Sequence, residues 1–383
     1  LETLANEQRF LDCFVNPSDV GGRFSALTYF GMVPAALVGF DLNQLLESAE
    51  KQVLACQVVE NNDTLLFGWH IGTHAAQGRN KLTLLLSPEI QALSAWIEQL
   101  LAESMGKDGR GIVPIVDEPL LRPDQYGNDR VFVATLTEGD DKLTACCREL
   151  ELSGFPVLRF STGGRREIGG EFFRWEFATA VAGVALGLNP FNEPDVQSTK
   201  YATSLCLANQ NVPGRDALTL CAQEGELSLF GEPSEFQECE GITSGINHLF
   251  IKVRQGDYVA ILAWVDESEA IRNVLENVRA HIGQALGVPA TLNFGPRYLH
   301  STGQLHKGGV REGVFLQITS GVYSDVDIPQ HDYSFAQLLG AQADADFAVL
   351  SNLGYRVVRV DLGRHPEQGL IDFALALENA LPN

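Results

Sequence analysis

The sequence predicts an α/β fold in which layered, mainly parallel sheets are flanked by helices. Three observations carry this prediction. Strand-like runs alternate with helix-like runs along most of the chain, 45% of the 383 residues are apolar, and no apolar run reaches the roughly 18 residues that a membrane-spanning helix needs. A chain of this length can bury at least one sizeable core, and such alternation favours parallel strands.

The first half of the chain supplies the elements of one predicted module. Helices are expected over residues 1–15, from about 25 to 39, and over 43–59, 89–104, 140–152 and 171–186. Strands are expected over 80–86, 112–116, 131–136 and 156–160. A turn at 16–19 separates the first two helices, and Ser87-Pro88 opens the helix after the first strand. Residues 26–40 form the most apolar stretch and contain Pro34, so we expect a buried helix there.

The second half resumes the alternation after a different kind of segment. Residues 208–245 are rich in Gly, Glu, Pro and Ser with weak periodicity, which predicts an irregular acidic connection with room for one short hairpin. Strands follow at 258–265, 291–294, 314–319 and 356–361, and helices at 267–286, 334–353 and 367–381. We therefore divide the chain into a module at 1–207, the connection at 208–245 and a second α/β module at 246–383.

The charge balance excludes several classes of function. Lys and Arg number 27 against 49 Asp and Glu, which gives a formal net charge of −22. Such a field repels nucleic acid and anionic membranes, whose binding depends on neutralising phosphates. We therefore expect a soluble, cytoplasmic protein that binds neither. An anionic ligand would need local donors that act against the global charge.

Cysteine and histidine spacing predicts neither disulfides nor a metal site. The seven cysteines are scattered, odd in number and without a C-x-x-C pair, which is typical of reduced thiols in the cytoplasm. Two close histidine pairs, His70 with His74 and His300 with His306, have no nearby Cys, Asp or Glu at metal-ligand spacing.

Three segments place charged residues where they could meet a ligand. Gly22 and Arg23 precede a helix, where free N–H groups and a guanidinium suit an anion; the alternative is a turn whose Arg pairs with a surface carboxylate. Glu103 ends an apolar helix, whose negative dipole end would raise its pKa toward that of a base working near neutrality; the alternative is a solvated Glu. Lys200 follows a helix stop and a loop, a setting in which most lysines are simply exposed.

Residues 295–309 form the densest polar stretch of the chain. They place two His, Ser, Thr, Gln, Arg and Lys between glycines directly after a predicted strand. Loops at the carboxyl ends of strands form the ligand crevice of α/β sheets, so we interpret this stretch as functional. A lone histidine is more often structural than catalytic, and spacing does not separate His300 from His306.

Four motifs together resemble glucose-6-phosphate isomerases. They lie at residues 21–28 (GGRFSALT), 103–111 (ESMGKDGRG), 189–200 (NPFNEPDVQSTK) and 299–304 (LHSTGQ). The second half, with residues 295–309 intact, is most similar to the isomerase half of bifunctional transaldolase/glucose-6-phosphate isomerase proteins. The resemblance implies a sugar-isomerase fold, interconversion of glucose 6-phosphate and fructose 6-phosphate through an enediol without cofactor or metal, and a homodimer.

The resemblance also assigns roles. Arg23 would stabilise the enediolate, and Glu103 would move a proton between the first two sugar carbons. Lys200 would assist ring opening and hold the ring oxygen or an adjacent hydroxyl, and His300 would match the ring-opening histidine. The remaining substrate-binding positions that it implies are Gly22, Ser301, Thr302 and Gln304.

Three departures from the family pattern leave alternatives open. The Lys motif carries Glu193, Asp195 and Gln197 where the family usually has Gln, Gly and Glu. The histidine motif follows Lys200, whereas in ordinary members it lies between the Glu and Lys motifs. The Ser/Thr-rich phosphate loop is absent before Leu1, so we expect a missing N-terminal segment of a longer polypeptide, with a transaldolase domain as one candidate. A non-catalytic sugar-phosphate-binding regulatory module is the main rival. Transaldolase activity of this chain itself would need a Schiff-base lysine on a barrel strand, which Lys200 does not fit.

Overall fold

Two sheets organise the chain in the computed structural model, which describes residues 2–236, 239–321 and 325–381. The helices are α1 (Glu2–Glu7), α2 (Tyr29–Leu37), α3 (Leu42–Cys56), α4 (Asp63–Ala76), α5 (Leu93–Met105), α6 (Asp141–Leu152), α7 (Ile168–Leu186), α8 (Val196–Leu207), α9 (Ile242–Phe250), α10 (Glu269–Leu286), α11 (Gly303–Gly308), α12 (Phe335–Asn352) and α13 (Pro366–Ala380). The strands are β1 (Lys81–Leu86), β2 (Val113–Ile115), β3 (Arg130–Leu136), β4 (Val157–Ser161), β5 (Thr219–Glu224), β6 (Leu227–Gly231), β7 (Tyr258–Trp264), β8 (Ala290–Phe294), β9 (Gly313–Thr319) and β10 (Arg356–Asp361).

The first sheet has the strand order β2-β1-β3-β4, and every pairing in it is parallel. All six residues of β1 are buried, as expected for a strand that is covered by helices on both faces. One face packs on α4, α5 and α7 through residues such as Phe67, Ile97 and Trp175. The other face packs on α6 through Phe132 and Leu150.

The second sheet has the order β5-β6-β10-β9-β7-β8. Strands β10, β9, β7 and β8 are parallel, and the hairpin β5–β6 adds antiparallel to β10. Along β7 the side chains alternate between two cores: Val259 and Ile261 face one, and Ala260 and Leu262 face the other. This period of two is the geometry of a strand with both faces buried.

The two sheets share one of these cores, and this contact positions the candidate site. Ala102 of α5 and Ile115 of β2 pack in the same cluster as Tyr298 and Leu305 from the segment after β8. Gly106, just past α5, approaches the backbone of Leu305 so closely that an added Cβ would lie 2.4 Å from its Cα. Only a glycine leaves room for the end of α5 to meet α11 in this way.

The predicted α/β fold with mainly parallel sheets is confirmed. Most predicted strands lie within one or two residues of the observed ones, and β10 matches at both ends. Residues 208–245 contain the hairpin that the sequence left open, and it joins the second sheet. Part of the polar stretch predicted as a loop forms the short helix α11. The division into modules at residues 207 and 246 stays a prediction.

Three helix predictions near the N-terminus were wrong or missing. The first helix ends at Glu7 instead of residue 15, and it buries no residue, so its apolar periodicity has no surface to pack against. The helix expected to be buried over 26–40 is α2, whose residues are mostly exposed or half-buried; Leu37 is 83% exposed. Helix α4 was not predicted, although Asn62 caps it by accepting the Leu65 N–H.

None of the helices in the described ranges combines the length and the apolar composition that crossing a bilayer requires.

Candidate active site

Arg23 is the buried centre of the candidate site. It lies in a 3-10 turn and is only 3% exposed. Its Nε donates to Ser104 Oγ at 2.8 Å and its Nη2 to the Pro190 carbonyl at 2.9 Å. Its Nη1 lies 3.4 Å from Glu103 Oε1 and 3.0 Å from Glu193 Oε2. The turn therefore does more than pair with a surface carboxylate, since the guanidinium joins α5 to the loop before α8.

Glu103 lies in the last turn of α5 and is largely buried. Burial is the main reason that its pKa is raised; Arg23 and the Gln99 hydrogen bond oppose the shift, and the charge of Glu193 adds to it. The direction agrees with the sequence prediction, although burial, not the helix end, is the leading cause. The carboxylate is thus next to a fixed cation while having a proton affinity above that of an ordinary glutamate.

Gln99 connects Glu103 to the segment that carries His300. Its Nε2 lies 3.3 Å from Glu103 Oε2 and donates to the His300 carbonyl at 2.9 Å. Sequence analysis missed this residue. Its position four residues before Glu103 was the available signal, because side chains at i and i+4 share one face of a helix.

His300 and Lys200 line one small cavity of about 210 Å³. Both residues are exposed. The other polar residues lining it are Thr199, Thr203, Lys307 and Gln342. No carboxylate of the described residues lines this cavity, whereas two lysines do.

The structure thus brings the four predicted residues together in two linked groups. Arg23 and Glu103 form an ion pair, His300 and Lys200 share the cavity, and Gln99 bridges the pairs through the His300 backbone. Their roles in chemistry stay predictions.

The other predicted binding residues have more varied surroundings. Gly22 is exposed, with open space where a Cβ would lie, and Ser301 is half-buried. Thr302 is buried, and its Oγ1 has no hydrogen-bond partner among the described residues. Gln304 is fully buried; its amide donates to the Gly106 carbonyl at 2.8 Å and exchanges hydrogen bonds with Asp195. Its amide is thus committed to holding two loops together.

His306 has a different environment from His300. Its ring is buried among Tyr258, Tyr298 and Phe315, with the Phe315 centroid 5.1 Å away. Burial lowers its pKa well below the usual range, and the adjacent Lys307 adds to the shift. A neutral imidazole in an aromatic enclosure is a packing residue, so His300 is the one placed to meet a ligand.

Lys107 is a second residue that sequence analysis did not single out, although it lies in the motif at 103–111. It is 2% exposed, and its Nζ donates to the Asn189 carbonyl and to Asn192 Oδ1, at 2.8 and 2.9 Å. Burial lowers its pKa to about 8, and the nearby Arg23 adds to the shift. Together with Arg23, this lysine fixes the loop that brings Glu193 to the site.

A larger cavity lies elsewhere. It measures about 1180 Å³ and opens at the carboxyl ends of β3 and β4, where Arg159, Arg166 and Glu167 line it. None of the residues predicted from sequence faces it. Within the described ranges, no three His, Cys, Asp or Glu side chains gather closely enough to hold a metal ion.

Comparison with known proteins agrees with the motifs over part of the chain. No family model matches it. Glucose-6-phosphate isomerase of Leptospira biflexa is 28% identical over 243 residues, and that of Heliobacterium modesticaldum 30% identical over 241; each alignment covers 52% of this chain and 54% of the relative. The chain therefore spans about half the length of the curated relatives it matches.

Solved structures are more distantly similar. A hypothetical protein of Thermus thermophilus aligns over 94% of this chain and 92% of its own at 15% identity, with a TM-score of 0.33. A glucose-6-phosphate isomerase of Chlamydia trachomatis aligns over 88% of this chain and 80% of its own at 11% identity, with a TM-score of 0.28.

Proposed function

We propose that this chain carries the proton-transfer site of an aldose–ketose isomerase that interconverts glucose 6-phosphate and fructose 6-phosphate through an enediol. One observation carries the proposal: a largely buried carboxylate, Glu103, has a raised pKa yet lies 3.4 Å from the fixed guanidinium of Arg23. A general base near neutrality needs the first property, and a developing enediolate needs the second. The similarity to glucose-6-phosphate isomerases over half the chain supports this choice of reaction.

The proposed proton transfer uses a single carboxylate. In the open-chain aldose, Glu103 takes the proton from C2 beside the carbonyl, and the electrons form the enediolate. The proton of the C2 hydroxyl moves to O1, which shifts the negative charge to O2. Because the intermediate is planar and both carbons lie near the same base, Glu103 then returns its proton to C1, the carbonyl re-forms at C2, and the product is the ketose. A positioned base contributes roughly a hundred- to ten-thousand-fold, and fixed positive charge at the oxyanion is often worth more.

Ring opening is assigned to the adjacent cavity. His300 and Lys200 line it together, so an imidazole and an ammonium can act on the ring oxygen and the neighbouring hydroxyl. The His300 backbone is tied to Glu103 through Gln99, which supports a short path between the two steps. No step calls for hydride transfer, so we propose a reaction without a redox cofactor.

The test is turnover by the complete protein that contains this chain, and by its Glu103→Gln variant. Fructose 6-phosphate is supplied, and glucose 6-phosphate is detected by coupling to its dehydrogenase. We expect activity in the parent protein, and loss of nearly all of it with an unchanged circular dichroism spectrum in the variant. Retention of more than a few per cent of activity would remove Glu103 from the base role.

Glu98 provides a matched control on the same helix. It is buried, accepts from Asn293 Nδ2 at 3.2 Å, and has its pKa raised by burial to about 7. By proton affinity alone it would also qualify as a base, but it faces the contact with β8. We therefore expect Glu98→Gln to keep most of the activity.

Binding of fructose 6-phosphate without turnover by the parent protein would favour the regulatory binding module instead.

Further proposals rest on the resemblance of residues 295–309 to bifunctional proteins. We propose that this chain forms part of a longer cytoplasmic polypeptide with a transaldolase domain, and that it acts as a homodimer. Lys200 lies on the exposed face of a helix, α8, and not on a barrel strand. Any transaldolase chemistry would therefore belong to another part of that polypeptide.

A further inference from the structure

One buried carboxylate holds both ends of the segment that carries His300. We call residues 298–307 the histidine loop. Asp346, on α12, is completely buried. Its Oδ2 accepts from Tyr298 Oη at 2.6 Å, and its Oδ1 lies 2.7 Å from Lys307 Nζ. These two partners are the first and last residues of the histidine loop.

The Tyr298 end is rigidly fixed. Its hydroxyl accepts a hydrogen bond from Trp264 Nε1 at 3.0 Å while donating to Asp346, and the two rings meet edge to face. Burial and the Asp346 charge raise the pKa of this phenol well above its usual range, so it stays a donor. A charge-assisted bond to a buried carboxylate is stronger than a neutral one.

The Lys307 end connects the same carboxylate to the cavity. Lys307 is 5% exposed and lines the cavity together with His300 and Lys200. A buried ammonium without a partner is costly, and Asp346 is the carboxylate that compensates it. The position of α11 therefore depends on this ion pair.

The His300 ring has no such support of its own. Among the described residues, no group forms a hydrogen bond with its imidazole, whereas its carbonyl accepts from Gln99. The charge of His300 acts on Glu103, but without a hydrogen bond the exposed ring is positioned mainly by the backbone on either side of it. That backbone is anchored through Tyr298 and Lys307.

We propose that Asp346 is a positioning residue that holds His300 in place for ring opening, acting through Tyr298 and Lys307. The inference rests on the isomerase function proposed above. It adds a residue more than 40 positions away from His300 that touches no substrate and yet governs one step of the reaction. Proton transfer by Glu103 should depend on it much less, because Glu103 is held by Arg23 and Gln99.

The test compares two substrates in three variants. Fructose 6-phosphate must be opened, whereas an analogue that lacks the C5 hydroxyl cannot close its ring and reports proton transfer alone. We expect Asp346→Asn and Tyr298→Phe to lose about tenfold or more on fructose 6-phosphate and to change little on the analogue, because misplacement of a catalytic group lowers rates by such factors. Equal losses on both substrates would overturn the proposal.

Glu118→Gln is the matched control. Glu118 pairs with the buried Arg130 at 2.7 Å in the first sheet, so this variant also removes one charge from a buried ion pair. It should not separate the two substrates. If Asp346→Asn does not fold, the double variant Lys307→Met with Asp346→Asn removes both charges at once, and Tyr298→Phe removes only a hydroxyl.

Hydrogen exchange of the histidine loop keeps the inference separate from the proposed function. We expect the amides of residues 298–307 to exchange at least about tenfold faster in Asp346→Asn and not in Glu118→Gln, since loss of local anchoring permits local opening. Should the complete protein show no isomerase activity, the proposed function fails. The anchoring of the histidine loop by Asp346 is then judged by hydrogen exchange alone. Unchanged protection of the loop amides in Asp346→Asn would overturn it.

Discussion

His300 and His306 lie six residues apart in the polar stretch at 295–309, yet the structure gives them opposite environments. The first is exposed in a cavity that it shares with two lysines. The second is buried among three aromatic rings, and its Nδ1 has no hydrogen-bond partner among the described residues. The 3-10 turn over Arg297–His300 ends between them and α11 begins, so the chain changes direction after His300.

The difference shows that residue type and spacing identify a functional segment more readily than the functional atom within it. A histidine that transfers a proton needs access to a ligand and a pKa that allows both states. Burial gives His306 neither, since it lowers the pKa of that imidazole well below its usual range. Access alone therefore selects His300 as the ring-opening candidate.

The largest effect on catalysis is expected for His300→Asn, and its kinetics test the contrast between the two histidines. With ring opening assigned to His300, turnover of fructose 6-phosphate should fall by about a hundredfold or more, the usual contribution of a positioned acid or base. The analogue without a C5 hydroxyl should be converted at close to the parent rate. Steady-state kinetics on both substrates provide the measurement, and similar losses on the two would contradict the assignment.

His306→Ala is expected to act on stability instead. Removal of a ring from a packed aromatic cluster leaves a cavity, which typically costs about 2–5 kcal/mol of unfolding free energy. Urea unfolding at pH 7 would report the loss. His306→Phe is the control, because it keeps the ring and removes the unpartnered Nδ1, so it should lose much less.

The same pair of variants can also reverse the interpretation. A well-folded His306→Phe protein that has lost turnover of fructose 6-phosphate and retains turnover of the analogue would transfer the ring-opening role to His306.

The fold was largely predictable because its central strands, β1, β3, β7 and β9, are almost entirely buried on both faces. A continuous apolar run such as that of β7, whose sequence is YVAILAW, needs no tertiary information to be recognised. The N-terminal helices were harder, because α1 and α2 carry apolar residues that remain exposed, and their burial depends on surfaces that periodicity does not specify. Hydrophobic spacing predicts which face is able to pack, not whether a partner is present.

The site was predictable in its residue types and not in its connections. Arg23 and Glu103 are 80 positions apart, and their ion pair forms because a buried turn meets the end of α5. Gln99 could have been found from helical spacing. The link from Asp346 to both ends of the histidine loop could not, since it depends on how α12 crosses the second sheet.

The smallest expected effect is a shift of the pH profile, and it comes from Glu193, whose carboxylate lies beside Arg23 and Glu103. The charge of Glu193 raises the pKa of Glu103, and its carboxylate shares Arg23 Nη1 with it. Glu103 works as a base in its carboxylate form, so kcat/KM should rise with pH as this group deprotonates. Glu193→Gln removes a negative charge near Glu103, and Glu103 no longer shares Arg23 Nη1 with a second carboxylate. Both changes favour the deprotonated form of Glu103. The acidic limb of the pH profile should therefore move to lower pH, by less than about one unit.

Glu151→Gln is the matched control for that profile. Glu151 forms an exposed ion pair with Arg159 at the end of α6, on the first sheet, and should leave the limb where it is. A shift to higher pH in Glu193→Gln would mean that Glu193 stabilises the charged form of the base, contrary to the geometry at Arg23. An equal shift in both variants would instead reflect the net charge of the protein. Only a shift specific to Glu193 places the titrating base beside Arg23.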